Sequence, residues 1–340
     1  MRPGSFIVVA AVVLVAGFAA ADAIRGRVGR EATAQGSSPV QTSPTRVRGP
    51  QPQPEAPSGW PRGALQGSLV FTDAHDCRIR VIGLAGGEER RLARFAGDCQ
   101  LWAPPVGSHI AYGLGPTTAD GFSPFKLADL DHPTRELGGY RALFGVVLWS
   151  PDGQRVAWCG RRRIGFDLEV GGPARRLPTC PVAYTPDDAV AYAIGNRLND
   201  DRRGQILRVD GGITFAAFPD AKSIVVVVDG QRVEAYNGGV LSYALDLPAR
   251  LQGRTPILSP NGCSAAFRPL EPPGQIDVVD LGCAPGRGPL TFFGNDAAWS
   301  PDGRWLAVAE RETIAFHRIG GAQRTIRWPA AAAELAWRPR

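Results

Sequence analysis

The chain has 340 residues and a formal net charge of +6 at pH 7. Seven arginines and three acidic residues give residues 1–66 a charge of +4, so only +2 is left for the rest of the chain. The basic balance is therefore mainly a property of the N-terminal fifth, and it gives no reason to expect nucleic-acid binding. Lysine occurs only at Lys126 and Lys222, and this preference for arginine is typical of a GC-rich bacterial genome.

Residues 1–30 are predicted to be a targeting segment and not part of a fold. An apolar run at residues 6–21 follows Arg2, and residues 21–23 (Ala-Asp-Ala) look like a small-residue cleavage site. The run is long for a signal peptide, whose apolar region spans about 7–15 residues, and short for a spanning helix of about 20. A cleaved signal peptide and an uncleaved membrane anchor both stay open. The arginines that follow the run favour keeping that end inside, which argues against export.

Residues 31–66 are predicted to be a disordered linker. Pro, Gln, Ser, Thr and Gly dominate it, as in residues 50–54 (Pro-Gln-Pro-Gln-Pro). Such a composition cannot bury a core and behaves as an extended spacer. A spacer suits a domain that is held away from a membrane, and an ordinary disordered leader is the alternative.

One phrase, Trp-Ser-Pro-Asp-Gly, occurs twice, at residues 149–153 and 299–303, and a short apolar stretch follows each copy. Proline presets the backbone of the first central position of a turn, aspartate suits the second, and glycine tolerates a left-handed exit. Apolar stretches on both sides make the phrase a β-hairpin. A hairpin that recurs within one chain indicates a repeat architecture.

Weaker copies of the phrase fill the rest of the chain. The prolines of all copies stand at positions 104, 151, 186, 219, 260, 301 and 339, so the steps run from 33 to 47 residues. A period of about 40 residues with several short strands predicts an all-β propeller of four-stranded blades. Seven copies predict seven blades over residues 67–340, and six blades are the alternative. An irregular β-sandwich with chance turns is the competing interpretation.

These repeats resemble the TolB-type propeller repeat, also called the WD40-like or PD40 repeat. The resemblance covers residues 67–340 and is strong at the two full phrases. It implies that the residues before each turn form the innermost strand of a blade and those after it form the second. Known TolB proteins place a separate α/β domain before a six-bladed propeller. That domain is missing here and seven turns are present, so the TolB role is not carried over.

The two ends of the predicted ring complete each other. The last copy, Leu335–Trp337, has no strand after it, and the first predicted strand, Leu69–Phe71, has no turn before it. Pairing them would complete one blade from both termini and leave no open sheet edge at the seam. Fraying of both ends is the alternative.

Six cysteines form three sequential pairs, and spacing alone does not select among their fifteen possible connectivities. In a propeller, the first cysteine of each of the first two pairs lies near the turn between the second and third strands. Its partner lies just before the next innermost strand, on the same face of the ring, whereas the third pair joins adjacent strands on the other face. The predicted disulfides are Cys77–Cys99, Cys159–Cys180 and Cys263–Cys283. Disulfides indicate an oxidising, extracytoplasmic setting, and buried free thiols are the alternative.

Catalytic and metal-binding motifs are hard to find. The chain has no nucleophile elbow, no zinc-protease motif, no P-loop and no Cys-x-x-Cys, and its four histidines are scattered. Residues 73–76 (Asp-Ala-His-Asp) are the densest cluster of acid–base groups, but polar residues are equally expected at a blade turn. We therefore predict no catalytic residue, no cofactor, no metal and no specific small molecule.

Binding is predicted for the loops between repeats, because loops on a rigid scaffold often carry it. An insertion at Thr117–Pro124 makes the first step the longest, and residues 199–203 are expected in the matching loop two blades on. Both would lie on the face that carries the first two disulfides, and solvated loops without a role are the alternative. The candidate residues are Thr117, Asp120, Phe122, Asn199, Asp200, Asp201, Arg202 and Arg203. The tryptophans that recur at the repeat period are predicted to be inter-blade core.

Taken together, the sequence predicts a propeller that is secreted or membrane-anchored outside the bacterial cytoplasm. The leading function is a non-enzymatic scaffold that binds a protein, a peptide or an envelope component, with the membrane contacted through the N-terminal segment. The alternative is a lactonase- or hydrolase-like propeller enzyme with its site in the central channel. A degenerate structural propeller within an envelope assembly is the third possibility.

Overall fold

The computed structural model describes residues 60–339 except residues 62, 93–98, 116, 133–135, 144–145, 255, 269–273, 283–288 and 321–323. The predicted targeting segment and most of the predicted linker lie outside the described residues. The end of that linker is part of the fold, because Trp60 and Leu65 are buried and the Trp60 ring packs edge-on against Trp328 at 5.0 Å. Isolated apolar residues are hard to recognise in a Pro- and Gly-rich stretch, so the core begins before the predicted boundary at residue 67.

The 28 strands of the described residues form seven four-stranded antiparallel sheets, which are the blades of a β-propeller. The first strands are β1 (Ser68–Asp73), β2 (Ile79–Gly83) and β3 (Glu88–Arg91). Blade 1 follows as β4 (Leu101–Trp102), β5 (His109–Gly113), β6 (Phe122–Asp129) and β7 (Glu136–Leu143). Blade 2 comprises β8 (Val147–Trp149), β9 (Arg155–Cys159), β10 (Gly165–Glu169) and β11 (Ala174–Leu177). Blade 3 comprises β12 (Pro181–Tyr184), β13 (Val190–Ile194), β14 (Arg197–Asp200) and β15 (Gly204–Arg208).

The second half of the ring repeats the same order. Blade 4 comprises β16 (Ile213–Ala217), β17 (Ser223–Val228), β18 (Arg232–Asn237) and β19 (Val240–Asp246). Blade 5 comprises β20 (Pro256–Leu258), β21 (Ser264–Phe267), β22 (Gly274–Asp280) and β23 (Leu290–Gly294). Blade 6 comprises β24 (Ala297–Trp299), β25 (Trp305–Ala309), β26 (Ile314–Arg318) and β27 (Thr325–Trp328), and the last strand is β28 (Ala332–Arg338). Short 3₁₀ turns occupy Arg161–Arg163 and Ala249–Leu251.

Blade 7 is built from both ends of the described chain, as predicted. Its strand order is β28-β1-β2-β3, so the C-terminal strand is the innermost one. β28 and β1 are antiparallel, with Leu69 opposite Trp337 and Phe71 opposite Leu335. Each of the seven repeat prolines follows an innermost strand, which confirms seven blades and shows that the alternative of six is wrong.

The strand order gives the ring two faces. The turns between the first and second strands and between the third and fourth strands lie on one face, which we call the hairpin face. The turns between the second and third strands and the connections between blades lie on the other face. We call it the disulfide face, because Cys77–Cys99 and Cys159–Cys180 lie there.

The two full repeats close their hairpin turns with the same hydrogen bonds. The Ser150 hydroxyl donates to the Asp152 carboxylate at 2.5 Å, and the Ser300 hydroxyl donates to Asp302 at 2.6 Å. In each copy the backbone N–H five residues after the serine donates to the serine oxygen, at 2.9 and 2.8 Å. One serine side chain thus joins the turn to the following strand, which explains why serine and aspartate recur two residues apart.

The glycine of each full turn packs against the preceding blade. Gly153 has φ +69°, and a Cβ added there would lie 2.1 Å from the Val106 carbonyl oxygen of blade 1. Gly303 has φ +66°, and a Cβ added there would lie 2.8 Å from the Asn261 side chain of blade 5. The left-handed backbone and the close approach both require glycine at this position.

The repeat tryptophans belong to the inter-blade core, as predicted. Trp149 Nε1 donates to the Trp102 carbonyl oxygen of blade 1 at 2.9 Å. Trp299 Nε1 donates to the Ile257 carbonyl oxygen of blade 5, also at 2.9 Å. Each bond joins the innermost strands of two neighbouring blades. The indole side chains of Trp149 and Trp299 therefore hold the propeller together and are not ligand platforms.

Gly153→Ala should destabilise the protein more than Gly171→Ala. Both glycines are left-handed, but no atom lies within 4 Å of a Cβ added at Gly171. The Gly171 change costs about 1 kcal/mol for the backbone alone, whereas the Gly153 change adds about 1–3 kcal/mol of overlap with blade 1. The free energy of unfolding in denaturant measures the difference, and equal losses in the two variants would contradict the inter-blade contact.

Candidate functional site

The predicted insertion forms a loop on the disulfide face, where residues 117–121 lie between β5 and β6. The Thr118 N–H donates to the Phe122 carbonyl oxygen at 2.8 Å, and the Thr118 hydroxyl oxygen accepts from the Phe122 N–H at 3.2 Å. The Thr117 and Ser123 hydroxyl oxygens lie 2.8 Å apart. The last three residues of the predicted insertion belong to β6. The loop is therefore short and is held in one shape by its own hydrogen bonds.

Arginines from two blades surround Asp120 and Phe122. Asp120 Oδ1 lies 4.0 Å from Arg141 Nη2, and Asp120 Oδ2 lies 3.8 Å from Arg161 Nη2. The same guanidinium groups lie over the Phe122 ring, 5.3 and 6.0 Å from its centroid. The hydrogen bond from the Thr118 hydroxyl, together with the two arginines, lowers the pKa of Asp120 below its usual value, so the carboxylate is charged at neutral pH.

The Arg161–Arg163 turn lies between β9 and β10 on the same face. The Gly160 N–H closes it by donating to the Ile164 carbonyl oxygen at 2.7 Å. Arg162 and Arg163 both have φ +56°, in the left-handed region that costs a residue with a side chain about 1–3 kcal/mol. All three arginines are exposed, and the Arg161 side chain is 78% accessible. Such strained residues concentrate at functional sites.

These residues form one surface across blades 1 and 2, which we call the arginine surface: Asp120, Phe122, Arg141, Arg161, Arg162 and Arg163. It contains four guanidinium groups and one carboxylate, so its net charge is positive. Sequence reasoning found Asp120 and Phe122 but missed the arginines. The run of three arginines directly after Cys159 and Gly160 could have revealed them. It follows the second strand of a repeat, so it had to lie in a turn on the disulfide face.

The two disulfides of this face have the predicted connectivity. Cys77–Cys99 joins Cα atoms 4.6 Å apart, and Cys159–Cys180 joins Cα atoms 4.7 Å apart. Each bridge connects a turn between second and third strands to the segment that enters the next blade. The third cysteine pair is only half described: Cys263 is disulfide-bonded, and Cys283 lies outside the described residues. Cys159 lies two residues before Arg161, so its bridge anchors the arginine turn to the start of blade 3.

The prediction that residues 199–203 lie on the disulfide face is wrong. Asn199 and Asp200 belong to β14, and Asp201, Arg202 and Arg203 form the turn from β14 to β15 on the hairpin face. The turn between the second and third strands comes earlier, at Gly195-Asn196, where Gly195 has φ +60°. A two-residue turn of this kind needs a left-handed residue, which glycine supplies without strain.

The side chains of residues 200–203 hold neighbouring parts of the propeller together. Arg203 lies 2.5 Å from the Asp187 carboxylate and 2.9 Å from Asp200 Oδ2. Arg202 donates to the Asp187 carbonyl oxygen at 2.8 Å. Asp201 pairs with Arg175 of blade 2. These contacts assign a structural role to the residues that were expected to bind a partner.

The acidic cluster at residues 73–76 stabilises its own turn. Asp73 accepts from the His75 N–H at 3.0 Å and lies 2.8 Å from Arg80, and Asp76 accepts from the Arg78 N–H at 3.0 Å. Among the described residues, no group of three or more His, Cys, Asp or Glu side chains could hold a metal ion. That part of the chain also contains no helix long and apolar enough to cross a membrane.

The fold makes the protein a seven-bladed β-propeller, and comparisons with known proteins add little beyond that class. No protein-family model matches the chain, and no curated protein matches it. The TolB-type repeat is therefore not supported by a family model, although TolB is among the solved structures of similar fold.

Three solved propellers illustrate the similarity. A candidate 6-phosphogluconolactonase from Bacteroides fragilis is 13% identical with a TM-score of 0.52, over 80% of this chain and 98% of that one. The Myceliophteria thermophila Cps50 (Swd1) propeller domain is 14% identical with a TM-score of 0.48, over 72% and 91%. TolB from Acinetobacter baumannii is 17% identical with a TM-score of 0.45, over 81% and 67%. The first similarity shows only a shared fold. We draw no conclusion from the two structures with TM-scores of 0.48 and 0.45.

Replacing both Cys159 and Cys180 with alanine should lower the free energy of unfolding by about 2–4 kcal/mol, because the bridge restricts the unfolded chain. Denaturant unfolding without reductant measures the loss. The Cys77→Ala and Cys99→Ala double variant should lose a similar amount, since its loop is nearly the same length, at 22 against 21 residues. A loss below about 0.5 kcal/mol in both variants would contradict a structural role for the bridges.

Proposed function

We propose that this propeller is a non-enzymatic scaffold outside the cytoplasm, and that its arginine surface binds an acidic segment of an envelope protein. Residues 1–30 serve as the signal peptide or membrane anchor in this proposal, and residues 31–59 as the spacer. The observation that carries the proposal is the Arg161–Arg163 turn, which presents three exposed guanidinium groups on a strained backbone beside a disulfide.

The charge and geometry of the surface support a carboxylate-bearing partner. Guanidinium groups bind carboxylates through paired, charge-assisted hydrogen bonds, and arginine is enriched in protein interfaces. Asp120 engages Arg141 and Arg161 only at 4.0 and 3.8 Å, which leaves most of their hydrogen-bonding capacity for a partner. Arg162 and Arg163 have no ion-pair partner among the described residues. The surface therefore offers several free donors in a fixed arrangement.

The rigidity of the surface supports binding in one defined geometry. Phe122 is buried and supports two of the arginines, and the Cys159–Cys180 bridge anchors the arginine turn. A surface that is ordered before binding loses less conformational entropy when the partner arrives. The two described bridges also support an oxidising compartment, because disulfides rarely persist in a reducing cytoplasm. No observation on the described residues favours the alternative of a lactonase- or hydrolase-like channel enzyme.

Photo-crosslinking from position 162 tests the proposed partner surface. With a benzoylphenylalanine at Arg162 in the full chain, we expect one dominant crosslinked protein in cells. Reversing charge at both neighbours (Arg161→Glu and Arg163→Glu) should reduce that product at least about fivefold, because close charge pairs steer and hold the complex. Crosslinking from Gln154, which is exposed on the hairpin face, is the control. The same product from Gln154, or a product indifferent to charge reversal, would contradict the proposal.

The compartment has a separate test. In intact cells treated with a membrane-permeant maleimide before lysis, none of the six cysteines should be labelled, because all should be oxidised outside the cytoplasm. Labelling is read by mass spectrometry without reductant. Labelling of all six would place the mature domain in a reducing compartment and overturn this part of the proposal.

A further inference from the structure

A pocket of about 470 Å³ opens on the hairpin face where blades 6 and 7 meet. This volume is within the range of small-molecule sites. Its walls come from the hairpin turn of blade 6, from Arg318 and Arg324 of the same blade, from the segment before β1 and from the end of β28. It lies on the face opposite the arginine surface and plays no part in the proposed function.

Three arginines line this pocket: Arg304 directly before β25, Arg318 at the end of β26 and Arg324 directly before β27. None of the three has an ion pair with a carboxylate of the described residues. Three uncompensated cations around one concavity produce a positive potential that attracts anions. Elsewhere on the described ring, arginines commonly have carboxylate partners, as Arg155 has with Asp167.

The one carboxylate that lines the described walls does not neutralise them. Asp302 is bound within its own turn, where Oδ1 accepts from the Ser300 hydroxyl at 2.6 Å and from the Arg304 N–H at 3.1 Å. The side chain is therefore fixed in the turn that builds the wall. With three guanidinium groups against one engaged carboxylate, the pocket has a net positive charge.

The apolar part of the wall is made by two tryptophans, Trp305 and Trp337, each 8% exposed. Trp337 Nε1 donates to the Gln66 carbonyl oxygen at 2.9 Å, which joins the C-terminal strand to the segment before β1. A Cβ added at Gly67 would lie 2.1 Å from the Arg338 carbonyl oxygen, so the segment before β1 and the end of β28 are in direct contact. The pocket therefore exists only when the ring is closed.

We infer that this pocket binds a small molecule carrying two or more carboxylate or phosphate groups. Arginine matches both groups through its planar set of donors, and three arginines around one volume favour a multiply charged ligand over a single carboxylate. Because the pocket is built from the segment before β1 and from β28, the ligand binds the closed ring and not the unfolded chain. Binding consequently stabilises the ring against unfolding.

Titration of the purified full-length chain with citrate and with pyrophosphate tests this inference, and the two probes distinguish carboxylate from phosphate recognition. Calorimetry measures affinity, and the melting temperature reports stabilisation. We expect at least one probe to bind with a dissociation constant below about 1 mM, to raise the melting temperature, and to bind more weakly as salt rises.

Matched variants assign the binding to the pocket. Arg318→Gln and Arg324→Gln should each weaken the affinity about tenfold, because each removes a charge-assisted contact. Arg311→Gln removes an exposed arginine on the other face of blade 6 and should leave the affinity unchanged. Unliganded melting temperatures equal to that of the wild type show that the variants fold. Failure of both probes to bind with a dissociation constant below about 1 mM, or an equal loss in Arg311→Gln, would overturn the inference.

Discussion

The pairing of β1 with β28 is the constraint on which the rest of the structure depends. It joins residues from the two ends of the described chain in one antiparallel sheet and makes the C-terminal strand the innermost strand of blade 7. Hydrogen bonds from β28 to both neighbouring blades reinforce it. The Leu335 N–H donates to Asp296 Oδ2 before blade 6 at 2.9 Å, and Glu334 Oε2 accepts from the Leu101 N–H of blade 1 at 2.6 Å. Closure therefore removes an exposed sheet edge and joins blade 7 to the blades on both sides of it.

A closed ring explains why the two candidate sites have different characters. The arginine surface lies within blades 1 and 2, where a disulfide and a buried phenylalanine make it rigid without help from the seam. The pocket between blades 6 and 7 is made by the seam itself, so its ligand and the closure of the ring stabilise each other. Positive charge dominates both sites although the propeller as a whole is nearly neutral. The arginines are therefore concentrated at these two sites without matching carboxylates.

The repeat made most of the fold predictable. Seven prolines that recur every 33 to 47 residues marked the innermost strands. The propeller geometry that followed from them selected the two described disulfides from many possible pairings. The candidate site was less predictable, because loops are not constrained by the repeat. Residues 199–203 were assigned to the wrong face because the Gly195-Asn196 turn is only two residues long and has no apolar signature. The backbone strain at Arg162 and Arg163 cannot be recognised from residue types, since arginine is usually neither left-handed nor strained.

Hydrogen exchange of the native full-length chain tests closure most directly. If β28 and β1 are paired throughout, their backbone amides should be as strongly protected as those of β24 and β25 in the adjacent blade, and should exchange only when the ring unfolds globally. Peptide-resolved mass spectrometry measures the protection of each strand. Exchange of β28 within seconds, with β24 and β25 still protected, would show that the ends fray and would contradict the closed ring.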